Sequence, residues 1–352
     1  MECLHRFTRT WPRLAALTLG VILALALMGV LELIFFGLNQ YRGRNSHSSL
    51  IYSRKFIQPD AQLGYKPIPW AQVQVTKGLN GHLVYETSYA FDAYSRRITP
   101  VAPPGQRQKF IAFFGCSLTF GEGVRPDQTM PFYAGQLAPD YTPYNYGFSG
   151  YGPQQMLAKL QEDGMERELP EGSGVLVYTF FGAHIKRAIG SMQVFNEWSY
   201  NMPYYTLNSQ NELVRIGNLT TGRPLLALLY RVVGNLQFSK YFQVDLPPRI
   251  TEGHIRLTAR IIEESSRTSK RRFPGSVFCL VIYPGAHNLA GVIPELRQAG
   301  VKVLNYASLW DGRNLTGYEI EHDGHPTGLS HRELAGQIVK DLGLDRPGGR
   351  PE

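Results

Sequence analysis

The residues best suited to chemistry lie at two distant points of the chain. Ser117 stands in FFGCSLTFGEGV (113–124), where an apolar run ends on a glycine and small residues follow. A serine hydroxyl becomes a useful nucleophile only when a base accepts its proton and a third group orients that base. Asp323 and His325, in a Gly- and Pro-containing stretch near the other end, are candidates for those two roles. The alternative is an ordinary strand-to-helix turn, in which Gly and Ser are common.

The elements that would position these residues begin at about residue 108, where strands and helices alternate. Several of the expected strands are near-continuous apolar runs, typical of strands buried on both faces of a parallel sheet. They are 109–115, 142–150, 174–182, 276–284 and 301–307. The expected helices are 128–138, 153–164, 251–272, 288–299 and 328–342.

This alternation predicts an α/β fold with an open, doubly wound parallel sheet. Ligands of such sheets bind outside the carboxyl ends of the strands. Ser117 would end the first strand, and the loop with Asp323 and His325 would follow the last one. We therefore expect the three residues at one edge of the sheet.

Two further regions flank or interrupt this domain, which we place at residues 108–345. Residues 39–107 are predicted to be a linker, to about residue 60, followed by a small β-rich elaboration of short strands broken by Pro and Gly. Residues 187–250 form an aromatic-rich insertion that is too long for a simple crossover. It is interpreted as a substrate-binding lid or as a packing layer or oligomer contact, and both readings stay open.

The amino terminus predicts a membrane helix. Residues 14–38 are apolar except for Thr18 and Glu32. At about 1.5 Å per residue this run exceeds the roughly 30 Å hydrocarbon core of a bilayer. A cleaved signal peptide is the alternative, with small residues at Ala24 and Ala26, but the apolar run continues well beyond them. We expect an uncleaved anchor.

Charges beside this run predict its orientation. Arginines at positions 6, 9 and 13 precede it and favour a cytoplasmic segment 1–13 with export of the rest. Arg42, Arg44, Arg54 and Lys55 on the far side weaken the bias. The expected location is the inner (cytoplasmic) membrane, crossed once, with the catalytic domain on the periplasmic or extracytoplasmic side.

Composition excludes several other classes. The net charge of +8 is scattered along the chain, and no recognition helix, zinc spacing or stacking pattern accompanies it, so nucleic acid is not an expected partner. The histidines show no H-E-x-x-H or comparable spacing, so neither a metal nor a cofactor is expected. Three cysteines do not make a disulfide scaffold.

From about residue 108 to 342 the chain resembles the SGNH/GDSL hydrolase superfamily, whose sheet is flavodoxin-like. GCSLTFGEG is similar to its nucleophile block and puts Ser117 at the serine position. NYGFSGYG puts Gly150 at the oxyanion glycine, and DGHP puts His325 at the base and Asp323 at the acid. The pattern is not the G-x-S-x-G elbow, because position 119 is threonine.

The sequence departs from the family pattern in two places. The family's third block ends a strand with an Asn that donates to the oxyanion, whereas YTFFGAHIKRA contains none, so a backbone N–H or the His184 imidazole is expected to replace it. The family's acid commonly lies three residues before the histidine, where His322 stands here. Asp323 is the preferred acid and Glu321 the alternative.

The resemblance implies a serine esterase that removes acyl groups, acetyl in particular, from an envelope glycan. Ser117 would attack the ester, and amides of Ser117 and Gly150 would bind the oxyanion. Three alternatives stay open. The first is an O-acyltransferase that uses the same acyl-enzyme, the second a catalytically degenerate glycan-binding or scaffold protein, and the third an esterase acting on lipid.

Overall fold

The computed structural model describes residues 2–44, 47–101, 107–289 and 291–346, with the side chains of 2–13, 15, 44 and 288 left out. It begins with one long helix, α1 (Glu2–Arg44). The stretch Ala16–Gly43 is long and apolar enough to cross a membrane, as an anchor or as a signal sequence. The arginines at 6, 9 and 13, on which the orientation was predicted, lie outside the described side chains.

Five short strands follow α1. They are β1 (Ser48–Tyr52), β2 (Ile57–Asp60), β3 (Gly64–Pro67), β4 (Gln72–Leu79) and β5 (His82–Ala90). β1, β4 and β5 form an antiparallel sheet, and β2 and β3 form a hairpin. The prediction of a linker up to residue 60 is therefore wrong at residues 48–52 and 57–60, where β1 and β2 form. These two strands are specified by pairing with β4 and β3 rather than by an apolar pattern of their own, since β1 is exposed throughout.

The rest of the chain alternates strands and helices around one sheet. The strands are β6 (Lys109–Phe114), β7 (Tyr141–Asn145), β8 (Gly174–Phe180), β9 (Pro203–Leu207), β10 (Leu213–Asn218), β11 (Val277–Ile282) and β12 (Lys302–Asn305). The helices are α2 (Ser117–Phe120), α3 (Met130–Leu137), α4 (Pro153–Leu160), α5 (Ala183–Ile189), α6 (Met192–Val194), α7 (Pro224–Asn235), α8 (Gln237–Tyr241), α9 (Glu252–Arg272), α10 (Val292–Gln298) and α11 (Gly328–Asp341). Single 3₁₀ turns lie at Pro126–Gln128, Met165–Glu168 and His287–Leu289, and a π-helical turn at Phe195–Ser199.

The central sheet has the order β12-β11-β8-β6-β7, and every pair in it is parallel. Numbered among themselves, these strands run 2-1-3-4-5, which is the flavodoxin-like order. The prediction of a doubly wound α/β sheet is confirmed. The strand order reverses between β6 and β8, and Ser117 follows β6 at this switch point, where ligands of such sheets bind.

The sheet is buried on both faces because successive side chains of a strand point to opposite sides. Phe110, Ala112 and Phe114 of β6 pack with residues of α4, α5, α9 and α10. Ile111 and Phe113 pack with residues of α3 and α11 on the other face. Cys116 and Cys279 are both buried and unpaired.

The insertion at 187–250 has a small apolar core of its own. It contains α6, the β9–β10 hairpin, α7 and α8, and its central side chains are Met192, Phe195, Met202, Leu219 and Tyr230. Tyr205 of the hairpin packs with residues of α4, α5 and α9. The insertion therefore lies on the same face of the sheet as those helices.

Candidate active site

Ser117 is the first residue of a single helical turn at the carboxyl end of β6. Gly121 ends the turn with a left-handed backbone (φ +81°), and its N–H donates to the Ser117 carbonyl at 2.9 Å. The serine is partly exposed to a cavity at the sheet edge. Within the described part of the chain, no hydrogen-bond partner is found for its Oγ.

The carbonyl groups of this turn are held by two buried side chains from outside it. Asn145, the last residue of β7, donates through Nδ2 to the carbonyls of Thr119 and Phe120. Burial lowers the pKa of the Arg97 guanidinium to about 10, so it stays charged at neutral pH. Arg97 donates to three carbonyl oxygens, those of Phe120, Gly121 and Val124, at 2.8, 2.5 and 2.7 Å.

The acid and the histidine are brought together by a tight turn in the loop before α11. Ile320 N–H donates to the His325 carbonyl at 2.8 Å, and Gly324 takes a left-handed conformation (φ +82°) that suits glycine. Asp323 Oδ2 then accepts from His325 Nδ1 at 2.5 Å and from the His325 backbone N–H at 3.3 Å. The acid that lies two residues before the histidine therefore makes this contact.

Asp323 has a second partner from the amino-terminal sheet. Its Oδ1 pairs with the ammonium group of Lys77 on β4, and its side chain is 0% exposed. Burial raises the pKa of the Asp323 carboxyl, but the hydrogen bonds from His325 and Lys77 outweigh burial and lower the pKa to about 2. Asp323 is thus ionised throughout the physiological range.

Glu321, the alternative acid, lies away from this arrangement. Its side chain is 89% exposed, and its carboxylate lies 3.5 Å from His322 Nε2 rather than beside His325.

A third carboxylate faces the other ring nitrogen of the histidine. Glu122 Oε2 lies 3.8 Å from His325 Nε2 and accepts a hydrogen bond from Ser149 Oγ at 2.5 Å. Burial lowers the pKa of His325, but the hydrogen bond to Asp323 and the negative charge of Glu122 outweigh burial and raise the pKa above its ordinary value. Because Asp323 occupies Nδ1, Nε2 is the ring nitrogen left to act on a hydroxyl.

Ser117, Glu122 and His325 line one cavity of about 660 Å³, a size typical of small-ligand sites. Its walls come from regions outside the central sheet. The hairpin β2–β3 and its turn contribute Ile57, Gln58, Pro59, Gly64 and Tyr65. The insertion contributes Trp198, Tyr200 and Asn201, beside Arg187 of α5.

Gly150 also lines this cavity, and its position requires glycine. Its backbone is left-handed (φ +82°), and a Cβ there would lie 2.6 Å from Trp198 Nε1 and closer still to Tyr65 Oη. The Gly150 carbonyl accepts from the Trp198 indole N–H at 3.3 Å. Among the described residues, the backbone N–H groups of Ser117 and Gly150 have no hydrogen-bond acceptor, so both can donate to a ligand.

His184 lies elsewhere, which corrects the expectation that its imidazole donates to an oxyanion. The ring is fully buried beneath the sheet edge, and its Nδ1 is 2.8 Å from Tyr178 Oη. Burial, reinforced by the charge of Arg187, lowers the pKa of His184 well below its ordinary value. It is not among the residues that line the cavity. His184 is therefore a neutral histidine of the core, packed on aromatic rings.

Sequence reasoning missed Lys77, Arg97, Glu122 and Trp198. Glu122 alone carried a local signal, since an acidic residue stands inside the nucleophile block GCSLTFGEG. The other three come from segments whose position relative to the sheet no sequence pattern specifies.

No protein-family model matches the chain, and no curated protein matches it in sequence. The structural neighbours are GDSL/SGNH lipolytic proteins and carbohydrate esterases. One is a member of the lipolytic G-D-S-L family from Veillonella parvula, with 11% identity and a TM-score of 0.36, covering 66% of this chain and 97% of the other. The acetyl xylan esterase of the rumen bacterium Butyrivibrio proteoclasticus has 10% identity and a TM-score of 0.38, with coverage of 84% and 88%. A family two carbohydrate esterase from Cellvibrio japonicus has 10% identity and a TM-score of 0.37, with coverage of 84% and 98%.

Proposed function

We propose that the chain is a serine esterase in which Ser117 is the nucleophile, His325 the base and Asp323 the group that orients the base. The observation that carries the proposal is the bond from His325 Nδ1 to Asp323 Oδ2, with Ser117 on the wall of the same cavity as His325. This is the set of groups that serine-dependent acyl transfer requires.

The reaction would proceed in two halves. Ser117 Oγ attacks the ester carbonyl while its proton passes to His325 Nε2, and the carbonyl electrons move onto oxygen. The N–H groups of Ser117 and Gly150 stabilise that oxyanion, and collapse of the intermediate expels the alcohol, which takes the proton from His325. Water then attacks the acyl-enzyme by the reverse route, which releases the acid and restores Ser117. Asp323, held ionised by Lys77, would stabilise the imidazolium in both halves.

The substrate we propose is an acyl ester, acetyl in particular, on an envelope glycan. Tyr65, Trp198 and Tyr200 give the cavity aromatic walls of the kind that pack on sugar rings, and Arg187 and Asn201 add polar side chains. The proposed uncleaved anchor, residues 14–38, would hold this site on the extracytoplasmic side of the inner membrane. The proposed domain limits are 39–107 for the amino-terminal elaboration and 108–345 for the catalytic domain.

The test is covalent labelling of the full chain in detergent with a fluorophosphonate probe. We expect labelling of the wild-type protein and none of Ser117→Ala or His325→Ala. Ser308→Ala, which removes an exposed serine outside the cavity, serves as the matched control and should label like the wild type. A folded wild-type protein that stays unlabelled at every pH tried, or labelling that survives Ser117→Ala, contradicts the proposal.

A second candidate is glycan binding without turnover. It is favoured by one observation, the absence of a hydrogen bond from Ser117 Oγ to His325 among the described residues. Such a protein would bind acylated oligosaccharides in calorimetry without releasing acid.

Acyl transfer to an added sugar, measured against release of free acid, separates the transferase alternative from the esterase.

A further inference from the structure

The helix α1 does not stand apart from the folded domain, because α8 of the insertion is attached to one side of it. Glu32 of α1 accepts hydrogen bonds from the backbone N–H groups of Gln237 and Phe238, at 2.5 and 3.2 Å, and so satisfies the first turn of α8. Asn39 donates to the Gln237 carbonyl at 3.0 Å. These contacts fix the insertion beside the carboxyl-terminal part of α1.

Aromatic packing and one cation extend this contact. The ring of Phe35 packs against Phe238, Tyr241 and Phe242 with centroid distances of 5.2–5.4 Å. Arg42 stacks on the Tyr241 ring at 3.9 Å and donates to its carbonyl. Between Leu14 and Leu31 the described side chains of α1 are exposed, a length of about 27 Å at 1.5 Å per residue. The exposed apolar surface of α1 continues to Leu38, so α8, which contacts Glu32 and Phe35, lies at the end of the anchor nearest the folded domain.

The helix α7 immediately precedes α8 and presents an exposed apolar face. Leu225, Leu228, Leu229 and Val232 have the i, i+3, i+4, i+7 spacing of one helix face, and Leu225 is 83% exposed. Ala227 and Tyr230 on the opposite face are buried in the core of the insertion. The exposed face of α7, together with the half-exposed rings of Phe238 in α8 and Phe242 directly after it, forms what we call the apolar shelf. It consists of Leu225, Leu228, Leu229, Val232, Phe238 and Phe242.

We propose that the apolar shelf lies in the interface of the bilayer that α1 crosses, so that the protein holds the membrane by two elements instead of one. An amphipathic helix with an exposed apolar face and basic flanks buries that face at the boundary between headgroups and acyl chains. The shelf is continuous with the Glu32 and Phe35 contact on α1, which puts it at bilayer depth. This inference goes beyond the esterase function but rests on the proposed membrane anchor.

The charges beside the shelf fit a lipid surface. Arg42, Arg231 and Lys240 are exposed on α1, α7 and α8, and neither α7 nor α8 contains an acidic residue. Basic side chains near the membrane surface attract anionic headgroups. Tyrosine, the residue type of Tyr241, is enriched at the membrane–water interface. The chemistry selects a bilayer with anionic lipid over an acidic polymer, because the six shelf side chains carry no polar atom.

The experiment reads lipid contact directly. The full chain, in a Cys3→Ser background, receives Leu228→Cys labelled with a fluorophore and is reconstituted into vesicles of phosphatidylcholine and phosphatidylglycerol. A phosphatidylcholine with a nitroxide near the headgroup end of its acyl chain is the quencher. We expect the Leu228 probe to lose most of its fluorescence. The matched control is Leu137→Cys, at a comparably exposed leucine of α3 on the other face of the sheet, and it should keep its fluorescence.

A third probe at Leu23→Cys, near the middle of the exposed stretch of α1, reports the anchor itself; it is read with a nitroxide near the methyl end of the acyl chain, because this residue would lie at the centre of the bilayer. Quenching at Leu23 with none at Leu228 overturns the proposal, and a concentration-dependent disulfide of unlabelled Leu228→Cys would then assign the shelf to a second copy of the chain. Loss of quenching at Leu23 overturns both the anchor and the shelf. None of these readings needs catalysis, so a failure of the esterase proposal would leave them intact.

Discussion

The ammonium group of Lys77 pairs with the carboxylate of Asp323, although the two residues are 246 positions apart. A residue of the amino-terminal sheet therefore touches the acid that accepts from His325. The strands that precede the central sheet contribute directly to the charge of the candidate site, in addition to packing beside it.

Replacement of Lys77 by Met should destabilise the protein at neutral pH. One oxygen of a fully buried carboxylate would lose its charged donor, which typically costs about 1–3 kcal/mol in the free energy of unfolding. The measurement is urea unfolding of the detergent-solubilised chain. Lys66→Met, which breaks a more exposed pair with Asp60, is the control and should cost less than about 1 kcal/mol. Equal losses in the two variants would show that the Lys77 pair has no special weight.

Asp323 should make stability depend on pH in the acid range. Burial alone would raise its pKa, but its two hydrogen-bonded partners lower the folded-state pKa to about 2 from an ordinary value of 3.8. A depressed folded-state pKa stabilises the protein above the unfolded pKa, and this contribution is lost as the pH falls from about 4 towards 2. Unfolding free energies measured across this window should fall more steeply for the wild type than for Asp323→Asn. Parallel curves would contradict the assignment.

Glu122→Gln should shift the pH–rate profile of ester hydrolysis to lower pH. The base acts as neutral imidazole, so the rate rises with pH through the pKa of His325. Burial lowers that pKa, and the Asp323 bond and the Glu122 charge raise it above its ordinary value. Removal of one raising charge must lower it. Asp127→Asn, which neutralises an exposed carboxylate of the neighbouring turn, is the control and should leave the profile in place. An upward shift with Glu122→Gln would rule out this role.

Gly150→Ala should lower kcat by a much larger factor than Gly172→Ala does. A methyl group at this position would press on Tyr65 and Trp198 and displace the N–H proposed to donate to the oxyanion. Loss of one such donor costs about 10² to 10³ in kcat. Gly172→Ala has a similar positive φ with open space around it, so it controls for backbone strain alone. Comparable kcat values for the two variants would remove Gly150 from the proposed mechanism.

The sequence was informative where burial is two-sided and periodic. The apolar runs of β6, β8 and β11 indicate parallel strands because both of their faces are covered. The helices predicted from the sequence are α3, α4, α9, α10 and α11, and their boundaries lie within a few residues of those observed. β1 was missed because it is exposed throughout and is specified by its register with β4.

The candidate site was predictable only in part. Ser117, Asp323 and His325 stand in local patterns that place them at one sheet edge. His184 was misjudged because a histidine after a strand end gives no sign of whether its ring points to the cavity or into the core. Lys77 and Trp198 were not predicted. They lie in the amino-terminal elaboration and in the insertion, and no periodicity of the sequence shows how these segments pack on the central sheet.

The bond from the Trp198 indole to the Gly150 carbonyl joins a residue of the cavity wall to the residue whose N–H is a proposed oxyanion donor. Trp198 forms part of the wall that a bulky substrate would touch, and Gly150 carries an amide proposed to act only in the transition state. A substrate that presses on the tryptophan would therefore act on the donor through the Cα of Gly150, which joins the carbonyl bound by Trp198 to the N–H. Minimal esters that leave the wall empty should then be poor in turnover as well as in affinity, because binding energy from the remote part of a substrate is expressed at the reacting carbon.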